Sequence, residues 1–371
     1  MRRFAFVVHP LRFDDFARKF PFVRHLPPGP VEAAFKMVPP MKTAHVTGVV
    51  SDTTGETLEG WLIGLPMTPR GILESPYPVV LKKLMQAGRM AQELGAEILG
   101  LGAFTKIAGD RGVTLSQRLS IPITTGNSYT TATAVEGALR AAGEVGIALS
   151  TARVAVIGAT GSIGAACCHL LAGQVPALTV VARRRDPLER LAQDLRERYG
   201  VAVLVETDIR RAVQDADIVI AVSSSPDALV EPEDLKPGAV VCDVARPRNL
   251  SRVVNERRRD VLVIDGGVIE VPGRDADMGM DFGFPPRMVE ACMAETMALA
   301  LDGRLENFTL GPTVEPEKAA EIHTIAARHG FRMAGFRRFE RAIPASDLEP
   351  VREARRTVGG GAWTAAGLPK A

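Results

Sequence analysis

Three glycines with a fixed spacing mark the first place where this chain can carry chemistry. Gly158, Gly161 and Gly164 follow the apolar run Arg153–Ile157 and open a helical pattern. In such a strand–turn–helix the first glycine permits a tight turn, the second lets the backbone approach a pyrophosphate, and the third lets the helix approach the sheet. We expect a dinucleotide here, with its phosphates at the helix N-terminus. The expected cofactor-binding residues of this loop are Gly158, Thr160, Gly161, Ser162, Ile163 and Gly164.

The residues after the second and fourth strands of the same pattern predict which dinucleotide binds. An NAD site places a carboxylate after the second strand to bind the ribose 2′-hydroxyl, whereas arginine suits a 2′-phosphate. This chain has Arg183 and Arg184 there, and Asp186 comes later, where it is suited to capping the next helix. The sequence therefore predicts NADPH. Ser223 and Ser224 follow the fourth strand, where they either line the crevice beneath the cofactor or serve only as turn residues.

The cysteines are the second source of possible chemistry. The chain has four, too few for a disulfide framework, and they form no C-x-x-C pair. Cys167 and Cys168 fall in the helix after the glycine loop, so we expect buried structural thiols. Cys242 falls in a strand and is expected in the core, although its position near the carboxyl end of that strand keeps it as a weaker candidate for chemistry. Cys292 lies in PPRMVEACMAETMALAL, about two turns into a helix predicted to begin at the two prolines. Its composition alone leaves core packing and a nucleophilic role equally open.

Composition and charge bound the class of protein. The 371 residues are 46% hydrophobic and 24% charged, which is typical of a globular enzyme of two domains. A net charge of +2 gives no argument for nucleic acid, and the six histidines show no metal-ligand spacing. No apolar run approaches the length of a spanning helix, and MRRFAFVVHP is interpreted as a first strand, not a secretion signal. We expect a cytoplasmic protein with reduced thiols.

The elements that must position these residues indicate an α/β fold. From residue 152, β-branched runs alternate strictly with helical patterns, which predicts a Rossmann-type doubly wound parallel sheet covered by helices. We assign residues 1–125 to an N-terminal α/β substrate domain, 126–150 to a connecting helix and 151–275 to the NADP-binding domain. Residues 276–345 are expected to form C-terminal helices carrying Cys292, and 346–371 a loosely ordered tail.

The later part of the chain resembles the long-chain acyl-[acyl-carrier-protein] reductase family, which forms fatty aldehydes with NADPH. The resemblance runs from about residue 95 to residue 332, and the combination of TTGN with the late ACMAE is its most specific part. The matching stretches are TTGNSYTTA, VAVIGATGSIGAACCHLL, VVARRRDPLERL, ADIVIAVSSSP, ARPRNLS, IDGGVIE, PPRMVEACMAETMAL and RHGFR.

The resemblance implies a covalent mechanism. In that family the cysteine of the ACxAE segment carries the acyl group as a thioester, and this role falls on Cys292. The acyl group would come from acyl carrier protein or coenzyme A, and NADPH would reduce it to an aldehyde for a possible downstream aldehyde-consuming enzyme. Thr125 and Asn127 are candidate donors to the developing oxyanion, although helix capping explains them equally well. Glu295 lies on the same helix face as Cys292 and is either a proton-transfer group or a surface or structural carboxylate.

Two departures from the family pattern leave the acyl length and the donor open. Tyr129 stands where the family has a histidine in TTGNxH, and DVARP at 243–247 replaces a DGGYP-like stretch. Three alternative interpretations remain. A shikimate or quinate dehydrogenase-like enzyme needs a Lys–Asp pair, for which Lys106 and Asp110 are the candidates. A glutamyl-tRNA reductase relative needs an N-terminal cysteine, and none precedes Cys167. A catalytically silent NADP-binding sensor would keep all its cysteines structural.

Overall fold

The computed structural model describes residues 1–11, 13–16, 20–225, 227–245 and 248–358. They form two compact units, each built from several stretches of chain. The first contains Met1–Tyr129, Ile269–Pro312 and Ala320–Arg332. The second contains Thr130–Val268, Thr313–Ala319 and the described part of Met333–Ala371. This division differs from the sequence-based one, because the helix that carries Cys292 belongs to the N-terminal unit.

The N-terminal unit is built on a five-stranded sheet in the order β2-β3-β1-β4-β5. Strand β2 pairs antiparallel with β3, and the other neighbours are parallel. The strands are β1 (Arg2–Val8), β2 (Met41–Val50), β3 (Thr57–Gly64), β4 (Ile98–Leu101) and β5 (Ile123–Thr124). The first helices are α1 (Pro28–Phe35), α2 (Pro69–Glu74), α3 (Tyr77–Glu93) and α4 (Val113–Ser116).

Alternation along the strands gives this sheet two apolar faces. Ala5 and Val7 pack with α3 in one core cluster, since the buried residues of α3 recur at helical spacing. The opposite face packs against the helix Ala291–Asp302, where a side chain at Gly100 would collide with Thr296 Oγ1 at 2.2 Å. A sheet covered by helices on both faces is the expected α/β architecture.

The second unit confirms the predicted fold class. Its six-stranded sheet is parallel throughout, in the order β11-β10-β9-β6-β7-β8, which is the doubly wound arrangement of dinucleotide-binding proteins. The strands are β6 (Arg153–Ile157), β7 (Ala177–Val181), β8 (Ala202–Glu206), β9 (Ile218–Ala221), β10 (Val240–Asp243) and β11 (Leu262–Asp265). The helices are α5 (Asn127–Glu144), α6 (Ser162–Ala172), α7 (Arg185–Tyr199), α8 (Ile209–Val213) and α9 (Arg252–Arg257).

The described residues after β11 form short strands and three α-helices. The strands are β12 (Val268–Glu270), β13 (Met288–Glu290), β14 (Arg332–Met333), β15 (Arg337–Arg338) and β16 (Arg341–Ala342). The helices are α10 (Ala291–Asp302), α11 (Pro316–His329) and α12 (Glu349–Val358). None of the helices among the described residues is long and apolar enough to cross a membrane.

The start of the expected tail is helical. Leu348 and Val351 are buried in the core of the second unit, and this apolar packing holds α12 in place. The segment is rich in charged residues, so its composition gives little sign of this packing. The expectation of a loosely ordered tail is therefore wrong for residues 349–358. Residues 359–371 lie outside the described residues.

Candidate active site and cofactor site

Cys292 lies in the first turn of α10, not two turns into a helix. Arg287 has a φ of 67°, a left-handed conformation that no α-helix contains, and Met288–Glu290 then forms the short strand β13. The helix therefore begins at Ala291, and the sequence-based start at the two prolines is wrong. The position of Cys292 matters chemically, because the positive end of a helix favours a thiolate only within its first turn.

The surroundings of Cys292 distinguish it from the other three cysteines. As a residue it is partly exposed, whereas Cys167, Cys168 and Cys242 are buried, as predicted. Burial raises the pKa of Cys168 to about 12 and raises that of Cys167 further. The pKa of Cys292 is also raised by burial, but the positive charge of Lys106 opposes that shift. Cys292 is thus the least buried of the four cysteines.

The TTGN segment packs directly against Cys292. Gly126 has a φ of 72°, and a side chain there would lie 2.3 Å from both Cα and Cβ of Cys292. Only glycine combines this backbone conformation with so close an approach. Thr125 and Asn127 flank this contact, and both are buried. The structure thus brings the predicted nucleophile and the predicted oxyanion donors into one place within the N-terminal unit.

Glu295 joins the segments that surround Cys292 through hydrogen bonds. It is fully buried, and its carboxylate accepts hydrogen bonds from the Thr124 hydroxyl, from Thr309 Oγ1 at 2.9 Å and from the Tyr129 backbone N–H at 2.7 Å. Burial raises the pKa of Glu295, and these hydrogen bonds oppose the rise. A surface role for Glu295 is therefore wrong, and the structural alternative describes its contacts. It ties α10 to the TTGN turn and to Thr309, a residue that the sequence reasoning missed.

The glycine loop of the second unit has the shape that a dinucleotide needs. Gly158 has a φ of 84°, and a side chain there would lie 2.9 Å from the backbone of Ser223. A side chain at Gly164 would lie 2.2 Å from the Gly158 carbonyl oxygen. Helix α6 begins at Ser162 with no side chain capping it, so its first N–H groups remain available to phosphate oxygens. Thr160 and Gly161 are exposed beside them, and Ile163 is half-buried.

The arginines expected to bind the 2′-phosphate are exposed at the end of β7. Arg184 is the N-cap residue of α7, and Asp186 falls inside the first turn of that helix instead of capping it. Neither Arg183 nor Arg184 forms an ion pair with any residue that the structure describes, whereas Arg185 pairs with Glu189. Two exposed guanidinium groups beside a helix N-terminus fit a phosphate on the ribose.

Ser223 and Ser224 lie at the carboxyl end of β9, and Asn249 binds the backbone of Ser223. Ser223 Oγ accepts a hydrogen bond from Ser225 N, which is a turn contact, while Ser224 is exposed. The fully buried Asn249 accepts a hydrogen bond from Ser223 N at 2.9 Å. Sequence reasoning missed Asn249, although it lies in the ARPRNLS stretch that carries the resemblance. An asparagine shortly after a buried strand was the available signal.

The Lys–Asp pair of the alternative dehydrogenase interpretation is not formed. Asp110 accepts hydrogen bonds from Tyr77 Oη at 2.9 Å and from Thr114 N at 2.8 Å, and it makes no ion pair with Lys106. No group of three or more potential metal ligands occurs within the described ranges.

Comparisons with known proteins bear on both units. The family model for shikimate/quinate 5-dehydrogenase matches residues 140–266, most of the doubly wound unit. Shikimate 5-dehydrogenase from Listeria monocytogenes aligns over 88% of this chain and 96% of its own, at 11% identity and a TM-score of 0.38.

Two curated relatives cover most of the chain. Aminotransferase PigE of Serratia sp. is 31% identical over 80% of the chain, which spans only 34% of that protein's length. The long-chain acyl-[acyl-carrier-protein] reductase of Synechococcus elongatus is 32% identical over 79% of the chain and 87% of its own length. The doubly wound sheet and the reductase relative together indicate an NAD(P)-dependent oxidoreductase. The chain belongs to the family of the long-chain acyl-[acyl-carrier-protein] reductase.

Proposed function

We propose that the protein reduces a long-chain fatty acyl thioester to the fatty aldehyde with NADPH, through an acyl group carried on Cys292. The observation that carries this proposal is a partly exposed cysteine in the first turn of a helix, packed against Gly126 of the TTGN turn. The family relationship supplies the substrate class, an acyl carrier protein or coenzyme A thioester. A core cysteine would need neither the accessibility nor the adjoining turn.

Different residues of the N-terminal unit act as nucleophile and as hydrogen-bond donors in the proposed acyl transfer. Cys292 Sγ attacks the carbonyl carbon of the donor thioester, and the donor thiolate leaves as the carbon–sulfur bond breaks. The oxyanion that forms needs hydrogen-bond donors, which we assign to Thr125 and Asn127 together with the uncapped N–H groups of α10. The Thr125 hydroxyl suits this role, because it is buried and has no hydrogen-bond partner among the described residues.

The residues of the second unit fit the cofactor. The loop from Gly158 to Gly164 would hold the pyrophosphate, and Arg183 and Arg184 would hold the 2′-phosphate. Ser223 and Ser224 would lie beneath the dinucleotide, on the turn that Asn249 fixes. When bound, NADPH supplies the hydride that reduces the acyl group.

The proposal is tested by mass spectrometry of the intact protein mixed with palmitoyl-coenzyme A or palmitoyl-carrier protein in the absence of NADPH. We expect one palmitoyl group on Cys292, located by peptide mapping and discharged as aldehyde when NADPH is added. Cys292→Ala should abolish the adduct and leave NADPH binding unchanged, and the three buried cysteines serve as internal controls. No adduct from either donor would overturn the proposal and favour a silent nucleotide-binding protein.

The second candidate is a shikimate or quinate dehydrogenase-like enzyme, which the family-model match to residues 140–266 favours. That match covers the dinucleotide-binding region and does not extend to the N-terminal unit. The absence of a Lys106–Asp110 ion pair argues against it. NADP⁺ reduction in the presence of shikimate or quinate, unaffected by Cys292→Ala, would establish this candidate in place of the first.

A further inference from the structure

Three segments of the N-terminal unit lie at the carboxyl edge of its sheet. Strand β4 leads into the 3-10 helix Ala103–Lys106, and β5 leads into Gly126. Helix α10 runs antiparallel to these strands, because its end at Gly303 lies beside Arg2, the first residue of β1, while Thr296 lies against the middle of β4. The start of α10, with Cys292, is therefore at the same edge as Lys106.

His9 fixes the segment that carries Lys106. It follows β1, and its Nε2 accepts a hydrogen bond from Phe104 N at 2.9 Å, while its Nδ1 lies 2.9 Å from the Pro10 carbonyl oxygen. These contacts fit a neutral ring that donates from Nδ1 and accepts at Nε2. Burial lowers the pKa of His9 to about 4, so the ring adds no positive charge to this edge near neutral pH.

Charged groups of both signs act on the Cys292 thiol, and Lys106 is the positive one. Glu290 and Glu295 also act on the thiol, and both disfavour the thiolate, as does burial, whereas a hydrogen bond from the Met293 backbone N–H favours it. The positive charge of Lys106 acts on both Cys292 and Glu295 in the opposite sense. Lys106 is half-buried and forms no ion pair with any residue in the described ranges. Its charge is thus available to an anion at this edge.

We propose that the ammonium group of Lys106 is the counter-charge that stabilises the thiolate form of Cys292 for attack on a thioester. Lys106 is a positioning residue that acts through the thiol. In the step that it assists, the bond between Cys292 Sγ and the acyl carbon forms and the donor's carbon–sulfur bond breaks. The donor thiolate leaves and takes a proton from water. This inference rests on the proposed function only for the identity of the electrophile.

The test measures the rate at which iodoacetamide alkylates Cys292 as a function of pH, followed by peptide mass spectrometry. Removing the counter-charge with Lys106→Met should raise the midpoint of the profile by about one pH unit and slow alkylation at neutral pH about tenfold. Lys106→Arg keeps the charge and should restore most of the wild-type profile. The matched control is Lys82→Met, since Lys82 is exposed on α3, and it should leave the profile unchanged.

The outcomes separate this inference from the proposed function. A Lys106→Met profile that superimposes on the wild type overturns the role of Lys106, even when palmitoyl-coenzyme A still acylates Cys292. A shifted profile in a protein that accepts no palmitoyl group supports the counter-charge and refutes the acyl-transfer assignment. NADPH binding and the fluorescence of the buried Trp61 report whether each variant is folded, and Lys106→Gln is the second uncharged variant. A normal midpoint in a folded Lys106→Gln protein also overturns the inference.

Discussion

Replacement of Glu295 is the most direct test of how the candidate site is held together. The side chain accepts hydrogen bonds from the Thr124 hydroxyl, Thr309 Oγ1 and Tyr129 N. In Glu295→Ala the Thr309 hydroxyl keeps Ser128 Oγ as an acceptor at 2.7 Å, so two donors lose their acceptor. At about 1–3 kcal/mol for each buried donor left unsatisfied, the unit should lose about 2–6 kcal/mol of stability.

Glu295→Gln should cost less. Its amide oxygen can still accept from the Tyr129 N–H, so only the Thr124 hydroxyl loses its acceptor, at a cost of about 1–3 kcal/mol. The matched control is Glu93→Ala, because Glu93 is exposed on α3 and forms no ion pair with a described residue. We expect the control to lie within about 0.5 kcal/mol of the wild type.

The pKa shift of Glu295 predicts how the stability difference between the wild type and Glu295→Gln changes with pH. Because burial raises the pKa of Glu295 above its ordinary value, the folded state binds more protons than the unfolded state just above that value. Ionisation therefore weakens the fold as the pH rises from the ordinary value to the raised one. The advantage of the wild type over Glu295→Gln should be largest at low pH and should shrink as the pH rises through this window.

The assay is urea denaturation followed by Trp61 fluorescence in a Trp363→Phe background. Trp61 is buried in the N-terminal unit, so its signal reports on the unit that contains Glu295. A Glu295→Ala protein as stable as the Glu93→Ala control would refute the hydrogen-bond argument. A wild-type advantage over Glu295→Gln that grows with pH would refute the direction of the pKa shift.

Three further perturbations test other parts of the structure. Gly126→Ala should lose about 2–4 kcal/mol and most of the reactivity of Cys292 toward iodoacetamide, because a methyl group would overlap the cysteine backbone; Gly143→Ala, with nothing within 4 Å, is the control. Arg183→Ala should weaken NADPH about 10- to 100-fold and leave NADH unchanged in a fluorescence titration, and an equal loss for both would exclude a 2′-phosphate contact. Protonation of His9 should cost roughly 2–3 kcal/mol as the pH falls from 6.5 to about 4, and His9→Gln should flatten that part of the stability curve.

The doubly wound unit could be predicted almost entirely from local sequence. Parallel strands buried on both faces appear as continuous β-branched runs, and β6 was predicted with its observed limits, Arg153–Ile157. The glycine loop could also be predicted from local sequence, because the turn, the strand before it and the helix after it are adjacent in the chain. Except for β6 and β9, the neighbouring strands of this sheet are consecutive in sequence, so local pattern was sufficient to predict the fold.

The candidate active site depended on contacts between distant parts of the chain. The close approach of Gly126 to Cys292, and the hydrogen bonds of Glu295 to Thr124, join segments about 170 residues apart, and no periodicity encodes such pairs. The start of α10 was missed because a left-handed Arg287 has no sequence signature, unlike glycine.

The sequence by itself therefore determined the fold class, the dinucleotide loop and the residue types available for chemistry, since each depends on short-range pattern. Only the tertiary structure decided that Cys292 begins a helix, that Glu295 is buried with three donors, and that Lys106 shares an edge with the thiol. These features follow from how β4, β5 and α10 pack together. The physical reason is that burial and electrostatic environment are properties of the packed chain, not of any one segment of it.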